Sequence, residues 1–221
     1  MKSKAIKIPI DGSWTLDDLY TFPRTYSQVY GLVYALEATL NRSRVDYREN
    51  AFTKHPWRGG YSAVNFYNNL HTLTPRDERP QVVSLQYASP GWIELTMVAT
   101  VARNIKKIVK AFCAAGREIA DLYDYIQKGI TERELRKIEV QRKKLDLDKE
   151  TIAFIKESGH ELAEMMDFPY YEEINEITKN PLTTLKILLS FYRRIRTLVE
   201  YEKSGRAKLA SMKPSAKNRK N

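Results

Sequence analysis

The chain has 221 residues, 43% of them hydrophobic, and it carries 37 basic and 27 acidic residues, for a formal net charge of +10. That length fits one or two domains, and the hydrophobic fraction is ordinary for a globular protein. No apolar run approaches the roughly 20 residues that cross a bilayer, the first residues lack the apolar stretch of a secretory signal, and the single cysteine, Cys113, cannot form an internal disulfide. We therefore expect a cytoplasmic protein without a membrane partner.

The first forty residues predict one strand followed by helix. Residues 4–10 carry isoleucine at every second position, which is the period of a strand with one buried face. Thr15 and Asp18 have the spacing of a capping box, so they predict the start of a short helix. Pro23 is expected to end that turn or to begin a second helix, whose apolar face continues to about Leu40.

Residues 81–97 predict a β-hairpin. Apolar and polar side chains alternate on both sides of a Ser-Pro-Gly turn signal at residues 89–91. We expect the apolar face to be buried against the helix that follows, because two strands alone are only marginally stable. That face consists of Val83, Leu85, Ile93 and Leu95.

A long amphipathic helix is predicted for residues 98–128. Apolar residues recur there at steps of three and four, which is a seven-residue period, and Gly129 fits the position just past a helix end. At ~1.5 Å per residue the helix is a rod of roughly 45 Å, longer than a small domain needs. Its apolar stripe is either the core face of an extended helical body or a seam for self-association. The candidate interface residues are Ile105, Ile108, Phe112, Ile119 and Leu122.

The second half of the chain predicts helices and then a disordered tail. A charged helix is expected over 131–145, and Asp148 has the position of a cap for a helix over 149–166. Asn180, followed by a proline, predicts the start of a broadly apolar helix that runs to about Tyr201. The residues beyond it are rich in lysine and poor in apolar side chains, so they are expected to be disordered.

Together these elements predict an α+β fold that is mostly helical. A small N-terminal antiparallel sheet of three strands, in β-α-β-β-α order, carries helices on one face and is followed by a helical C-terminal half. The expected divisions are an α+β core over 1–129 that includes the long helix 98–128, a helical region over 130–203, and a basic disordered tail over 204–221.

No motif in the sequence fixes a reaction. There is no phosphate-binding glycine loop, no nucleophile elbow and no pair of histidines at metal-ligand spacing, so neither a metal nor a cofactor is expected. Glu94 is the one carboxylate inside a predicted strand, and if its face lines a pocket it is a polar anchor or a general base. The possible pocket residues are Trp57, Arg58, Tyr87, Trp92 and Glu94.

The positive charge is concentrated in the last fifth of the sequence. Residues 179–221 contain 12 basic and 2 acidic residues, whereas the chain before them carries 25 of each sign. This asymmetry indicates an anionic partner for the C-terminal end, either a nucleic acid or an acidic protein. The candidate nucleic-acid-binding residues are Arg193, Arg194, Arg196, Lys203, Arg206, Lys208, Lys213, Lys217, Arg219 and Lys220.

We interpret the chain as a non-enzymatic protein that assembles with itself, as a homo-oligomer, or with a protein partner through helical packing. The alternative is a nucleic-acid-binding protein that uses the basic C-terminal helix and tail, and an enzyme of unknown class is the third hypothesis. Under the alternative, deleting residues 204–221 is expected to leave the protein folded and to remove most of its affinity for nucleic acid.

Overall fold

The computed structural model describes residues 2–40, 52, 62–133, 135 and 147–215. These parts of the chain contain seven α-helices and a four-stranded antiparallel sheet, which confirms the α+β, mostly helical class. The helices are α1 (Leu16–Leu40), α2 (Ser62–Leu73), α3 (Ala99–Ala115), α4 (Glu118–Glu132), α5 (Lys149–Met165), α6 (Tyr171–Thr178) and α7 (Pro181–Lys203). The strands are β1 (Ser3–Ile10), β2 (Gln81–Gln86), β3 (Gly91–Val98) and β4 (Lys213–Pro214), and short 3₁₀ turns cover Arg76–Glu78 and Leu209–Ser211.

The sheet has the strand order β2-β3-β1-β4, so the first strand of the chain lies inside it. β1 pairs with β3 over its whole length, from Ser3 opposite Val98 to Ile10 opposite Gly91. Its alternate isoleucines are buried, as their period-two spacing predicts. The predicted sheet had three strands; the fourth, β4, comes from the C-terminal segment that the sequence pattern had suggested to be disordered.

Helix α1 is one continuous helix with Pro23 inside it, where two helices were predicted. The capping box at its start is present: the Thr15 hydroxyl accepts a bond from the Asp18 amide at 3.1 Å, and the Asp18 carboxylate accepts one from the Thr15 amide at 3.0 Å. The apolar face stays buried on both sides of the proline, at Phe22 and Tyr26. Packing along this face keeps the helix continuous at Pro23, although proline has no backbone N–H to donate to the helical hydrogen bonds.

The single long helix predicted for 98–128 is wrong, because the chain changes direction at Gly116. This residue has φ +56° and ψ −114°, a conformation that L side chains rarely adopt, and its amide donates to the Phe112 carbonyl to close α3. The apolar period continues across the break because α4 also buries one face, including Ile119 and Ile126. Periodicity therefore predicted both buried faces but not the turn between them.

Helix α7 lies at the centre of the helical part and packs against α1, α3, α5 and α6. It begins as predicted, with the Asn180 side chain accepting a bond from the Thr183 amide at 3.1 Å and Pro181 in its first turn. Residues on several sides of it, such as Leu185, Phe191 and Leu198, are fully buried. A helix that is apolar on most of its circumference needs partners around it.

The hairpin is buried on β3 but exposed on β2. Ile93 and Leu95 are 9% and 8% exposed, whereas Val83 and Leu85 are 56% and 54% exposed. The prediction of one buried apolar face is therefore correct for β3 and wrong for β2. The pairing of the two strands shifts between Val82 and Ser84, and in the described part of the chain no helix covers this edge of the sheet.

The segment 204–215 is ordered, which corrects the prediction of a disordered tail from residue 204 onward. Ala207, Leu209 and Met212 are buried, and the chain runs beside β1. The Lys208 amide donates to the Pro9 carbonyl and the Ser215 amide to the Ala5 carbonyl, both at 2.8 Å. A low average hydrophobicity suggested disorder, but three apolar side chains at the right spacing are enough to dock a segment onto a free strand edge.

Some predictions fall outside the described residues. These are most of the charged helix over 131–145 and the last six residues, 216–221. None of the helices in the described part of the chain is long and apolar enough to cross a membrane.

Candidate functional site

The arginines of α7 make different contacts, and Arg194 is half-buried among neighbouring side chains. Its guanidinium carbon lies 3.6 Å from the ring centroid of Tyr67, its Nε donates to Gln28 Oε1 at 2.8 Å, and its Nη1 donates to the Ser190 carbonyl at 3.0 Å. Burial lowers the pKa of the guanidinium below its usual range. These contacts join α7 to α1 and α2, so Arg194 is a packing residue and not a free cation.

Arg206 is also committed to an internal partner. Its Nη1 forms an ion pair with Asp18 Oδ1, which accepts a further bond from the Tyr201 hydroxyl at 3.0 Å. The pKa of Asp18 is lowered to about 2, first by the backbone amide of Thr15, then by the hydroxyls of Thr15 and Tyr201 and by the charge of Arg206. This network ties the start of α1 to the end of α7 and the segment after it.

The other predicted nucleic-acid-binding residues divide into two groups. Arg193 and Arg196 are exposed on α7, where Arg193 Nη1 donates to the Tyr123 hydroxyl at 3.2 Å and Arg196 Nε lies 3.4 Å from the Glu200 carboxylate. Lys203, Lys208 and Lys213 belong to the C-terminal segment and its junction with α7. Lys217, Arg219 and Lys220 lie outside the described residues.

A second source of positive charge adjoins this segment, and it comes from α3. Arg103 and Lys107, like Lys106 and Lys110, are four residues apart, and the two pairs lie next to each other on the helix, so the four form one stripe on the side away from its buried residues. The α3 sequence contains no acidic residue. Residues 209–212 pack on α3, and the Lys106 ammonium donates to the Met212 carbonyl at 2.9 Å.

We call the combined surface the basic face. It consists of Lys4 on β1, Arg103, Lys106, Lys107 and Lys110 on α3, and Lys203, Lys208 and Lys213 in the C-terminal segment. The three stretches that form it, residues 2–10, 99–115 and 203–215, contain no aspartate or glutamate at all. Two carboxylates directly flank these stretches: Asp11, which has a charge interaction with Lys208, and Glu202, which accepts a bond from the Ala210 amide at 2.9 Å. Three acid-free stretches that are far apart in sequence are thus adjacent in the fold.

At one end of the basic face there is a cleft of about 190 Å³. Lys4, Arg103, Lys106 and Lys213 surround it, and Ile6, Ala102 and Met212 contribute to its apolar floor. The small side chains Ala99 and Ala102 leave this space between α3 and the C-terminal segment. Four cations around an apolar floor form a site suited to an anion that also carries some apolar surface.

Of the residues predicted to form a pocket, the structure describes Glu94, Trp92 and Tyr87. Glu94 accepts a bond from the Ser84 hydroxyl at 2.8 Å, and the pKa of its carboxyl is lowered first by the Ser215 hydroxyl, then by Ser84 and by the charge of Lys7. A carboxylate with a lowered pKa is a weak general base near neutral pH. Glu94 is half-buried on the sheet face opposite the helices, in the position of a polar anchor.

Of the other members of that predicted pocket, Trp92 lies close to Glu94 and Tyr87 lies at the end of the neighbouring strand. Trp92 shares the outer face of β3 with Glu94, and the Lys7 ammonium lies 4.4 Å from its ring centroid. Tyr87 is 63% exposed beyond the end of β2, and its hydroxyl accepts a bond from the Trp14 amide at 3.2 Å. Trp57 and Arg58 lie outside the described residues. Among the described residues, no group of three or more histidine, cysteine, aspartate or glutamate side chains is placed to hold a metal ion.

The predicted self-association seam is buried inside the single chain. Ile105, Ile108 and Ile119 have no exposed surface, Phe112 is 4% exposed, and Leu122 packs against the same core while partly buried. A second copy cannot reach these side chains without unfolding the first. The seven-residue period therefore marks the core faces of α3 and α4, which was the other reading of the same pattern.

Sequence reasoning missed the contributions of β1 and α3 to the basic face. The count of charges over residues 1–178 is balanced, and that balance concealed two local stretches with lysine and arginine but no acid. Scanning for acid-free runs detects both stretches. Only the fold shows that they adjoin residues 203–215.

Comparison of this chain with models of protein families, with curated proteins and with solved structures finds no match to any of them.

Proposed function

We propose that the protein binds nucleic acid through the basic face. The observation that carries the proposal is the convergence of three acid-free stretches, which brings Lys4, Arg103, Lys106 and Lys213 around one cleft. The other lysines of the basic face lie on the same helix, α3, or in the adjoining residues 203–215. Lysines and arginines that neutralise phosphates release condensed counterions, and this release favours binding whatever the base sequence. Of the residues predicted from the sequence, the proposal keeps Lys203, Lys208 and Lys213, and it adds residues of α3 and β1. It leaves out Arg193, Arg194, Arg196 and Arg206.

The dimensions of the stripe on α3 fit a nucleic-acid backbone. From Arg103 to Lys110 the helix rises about 10 Å, which is about the span of three phosphates on one strand. Arg103 and Lys106 of α3 line the same cleft as Lys213, so the cations form a band there and not a single row. Contacts to phosphates position a protein without reading bases, so we expect weak sequence preference.

The test is fluorescence anisotropy with labelled duplex and single-stranded oligonucleotides at several salt concentrations. The wild type is expected to bind at 50 mM salt and to lose affinity steeply by 200 mM, because about four to six phosphate contacts give a strong salt dependence. The triple variant Arg103→Glu, Lys107→Glu and Lys110→Glu, which changes only surface positions of α3, is expected to lose most of the affinity.

A matched control separates the basic face from net charge alone. Lys128→Glu, Lys149→Glu and Lys156→Glu make the same charge change at exposed positions of α4 and α5, and they are expected to retain most of the binding. Equal losses in the two triple variants would show that overall charge, and not this face, drives binding. A wild type that binds neither duplex nor single strands at 50 mM salt would overturn the proposal.

The edge of β2 supports a second candidate function, self-association. The strand contains no charged residue and no proline, although natural sheet edges commonly carry these to prevent pairing with another chain. Val82, Val83 and Leu85 are all more than half exposed. A second copy that pairs with this edge would cover them, and the assembly proposed from the sequence would then use the sheet and not the long helix.

Sedimentation at high micromolar concentration tests this candidate. The wild type is expected to have a mass above the 25.7 kDa of one chain. Val83→Lys with Leu85→Lys should restore the monomer, whereas Val64→Lys, at an exposed apolar position of α2, should leave the mass unchanged. A monomeric wild type at that concentration contradicts the candidate.

A further inference from the structure

The cleft at the end of the basic face differs from the rest of that surface because it is concave and lined by separate parts of the chain. β1 contributes Lys4, α3 contributes Arg103 and Lys106, and the C-terminal segment contributes Lys213, so three separate parts of the chain form its walls. Its volume of about 190 Å³ is below the roughly 300 Å³ at which pockets for drug-sized ligands begin. The space fits one small charged group with a few attached carbon atoms, and not a whole dinucleotide.

The charge around the cleft is purely positive. All of its titratable lining residues are lysine or arginine, and the rest of the lining is apolar or small. The Lys106 ammonium is held in place by its 2.9 Å bond to the Met212 carbonyl, which uses one of its three donors. This bond orients a cation before any ligand arrives, which reduces the entropy lost on binding.

The composition of the lining indicates the class of anion. A phosphate monoester carries a charge of about −1.5 to −2 near neutral pH and three acceptor oxygens, so it can engage several cations at once. A guanidinium such as that of Arg103 can bind two of these oxygens together, and lysine ammonium groups act as point charges beside it. The apolar floor offers a surface to the carbon atoms attached through the ester oxygen.

We infer that this cleft binds a phosphate monoester, either the terminal phosphate of a nucleic-acid strand or that of a free mononucleotide. The inference deepens the function proposed above. Binding of the terminal phosphate of a nucleic-acid strand rests on that function, whereas binding of a free mononucleotide does not. A phosphodiester in the middle of a strand carries less charge and continues in two directions, which suits the open band along α3. A terminal group continues in only one direction, as a cleft walled on three sides requires.

The first test compares internally labelled single strands of one sequence that carry a phosphate at the 5′ end, at the 3′ end or at neither. One of the phosphorylated strands is expected to bind about tenfold more tightly than the strand with two hydroxyl ends. Lys4→Gln with Arg103→Gln should reduce that ratio to about one. Lys107→Gln with Lys110→Gln, on the same helix but outside the cleft, should weaken all three strands and keep the ratio.

The second test uses a nucleoside monophosphate and the matching nucleoside in isothermal titration calorimetry with the full-length protein. Binding of the monophosphate but not of the nucleoside, lost in the Lys4→Gln and Arg103→Gln variant, supports the phosphate site in the cleft. This holds even if no oligonucleotide binds. In that case the proposed nucleic-acid function fails and the phosphate site remains. Equal affinity for the three strands together with no monophosphate binding overturns the inference, and the nucleic-acid function still stands if those strands bind.

Discussion

Tyr26 and Tyr30 are buried on one face of α1, and their hydroxyl groups are expected to contribute differently to the stability of the protein. Both side chains are at most 2% exposed, and burial raises the pKa of both phenols above the usual range. The Tyr30 hydroxyl donates to the Glu78 carbonyl at 2.6 Å and accepts from the Val98 amide at 3.1 Å. The Tyr26 hydroxyl instead meets the Met97 sulfur at 3.1 Å, a weak acceptor.

Tyr30→Phe is therefore expected to cost more stability than Tyr26→Phe. The first change leaves a buried amide and a buried carbonyl without this partner, which costs about 1–3 kcal/mol, whereas the second removes only a weak contact. Chemical denaturation of both variants, followed by circular dichroism, measures the difference. Equal shifts of the two midpoints would mean that the Tyr30 hydroxyl does not join α1 to the start of α3.

For single residues, the sequence pattern predicted which helix faces are rich in tyrosine or arginine, but not which contact each of these side chains makes. A tyrosine-rich face on α1 was evident, but nothing in the pattern distinguished Tyr30 from Tyr26. The same holds for the C-terminal arginines. Arg194 stacks on Tyr67 and Arg206 pairs with Asp18, and both partners are more than a hundred residues away in sequence. Contacts over such distances leave no local signal.

Among the secondary-structure elements, the two strands of the hairpin have similar apolar patterns but different surroundings. β3 lies between β2 and β1, with α3 following directly from it, whereas β2 is at the edge of the sheet. Alternation reports which side chains share a face, and it does not report whether anything covers that face. The fold class followed from the alternation and the helical periods, while the burial of β2 did not.

Leu95→Ala and Leu85→Ala test this distinction with the same substitution on both strands. Leu95 is 8% exposed and its truncation is expected to lower the free energy of unfolding by about 2–5 kcal/mol, because a cavity opens in the core. Leu85 is 54% exposed, so its truncation is expected to change that energy by at most about 0.5 kcal/mol. Comparable losses in the two variants would show that β2 is covered in solution, which the self-association candidate also requires.

For the whole molecule, the net charge of +10 is an average over regions that differ strongly. The C-terminal excess is evident in the sequence and includes the lysines of residues 203–215. The structure makes this segment both part of the core and part of the basic face. Composition could not reveal that double role, because it depends on which strand edge the segment meets.

Deleting residues 204–221 is accordingly expected to destabilise the protein, contrary to the expectation from sequence. The deletion removes Leu209 and Met212 from the core, at about 1.5–3 kcal/mol each, and the ion pair of Arg206 with Asp18. Deleting only 216–221 keeps these contacts and is expected to keep the thermal midpoint. Differential scanning calorimetry of the two truncated proteins decides between the expectations, and equal midpoints would contradict the docking of the segment.

The pairing of Ile6 with Pro214 also sets an order in time. At about 5–20 residues per second, synthesis reaches residue 214 roughly 10–40 s after residue 6, so β1 is made well before its second neighbour. Contacts between parts so distant in sequence also form slowly in a finished chain. A growing polypeptide therefore contains the lysines of β1 and then the stripe of α3 before the segment that completes the cleft has been made.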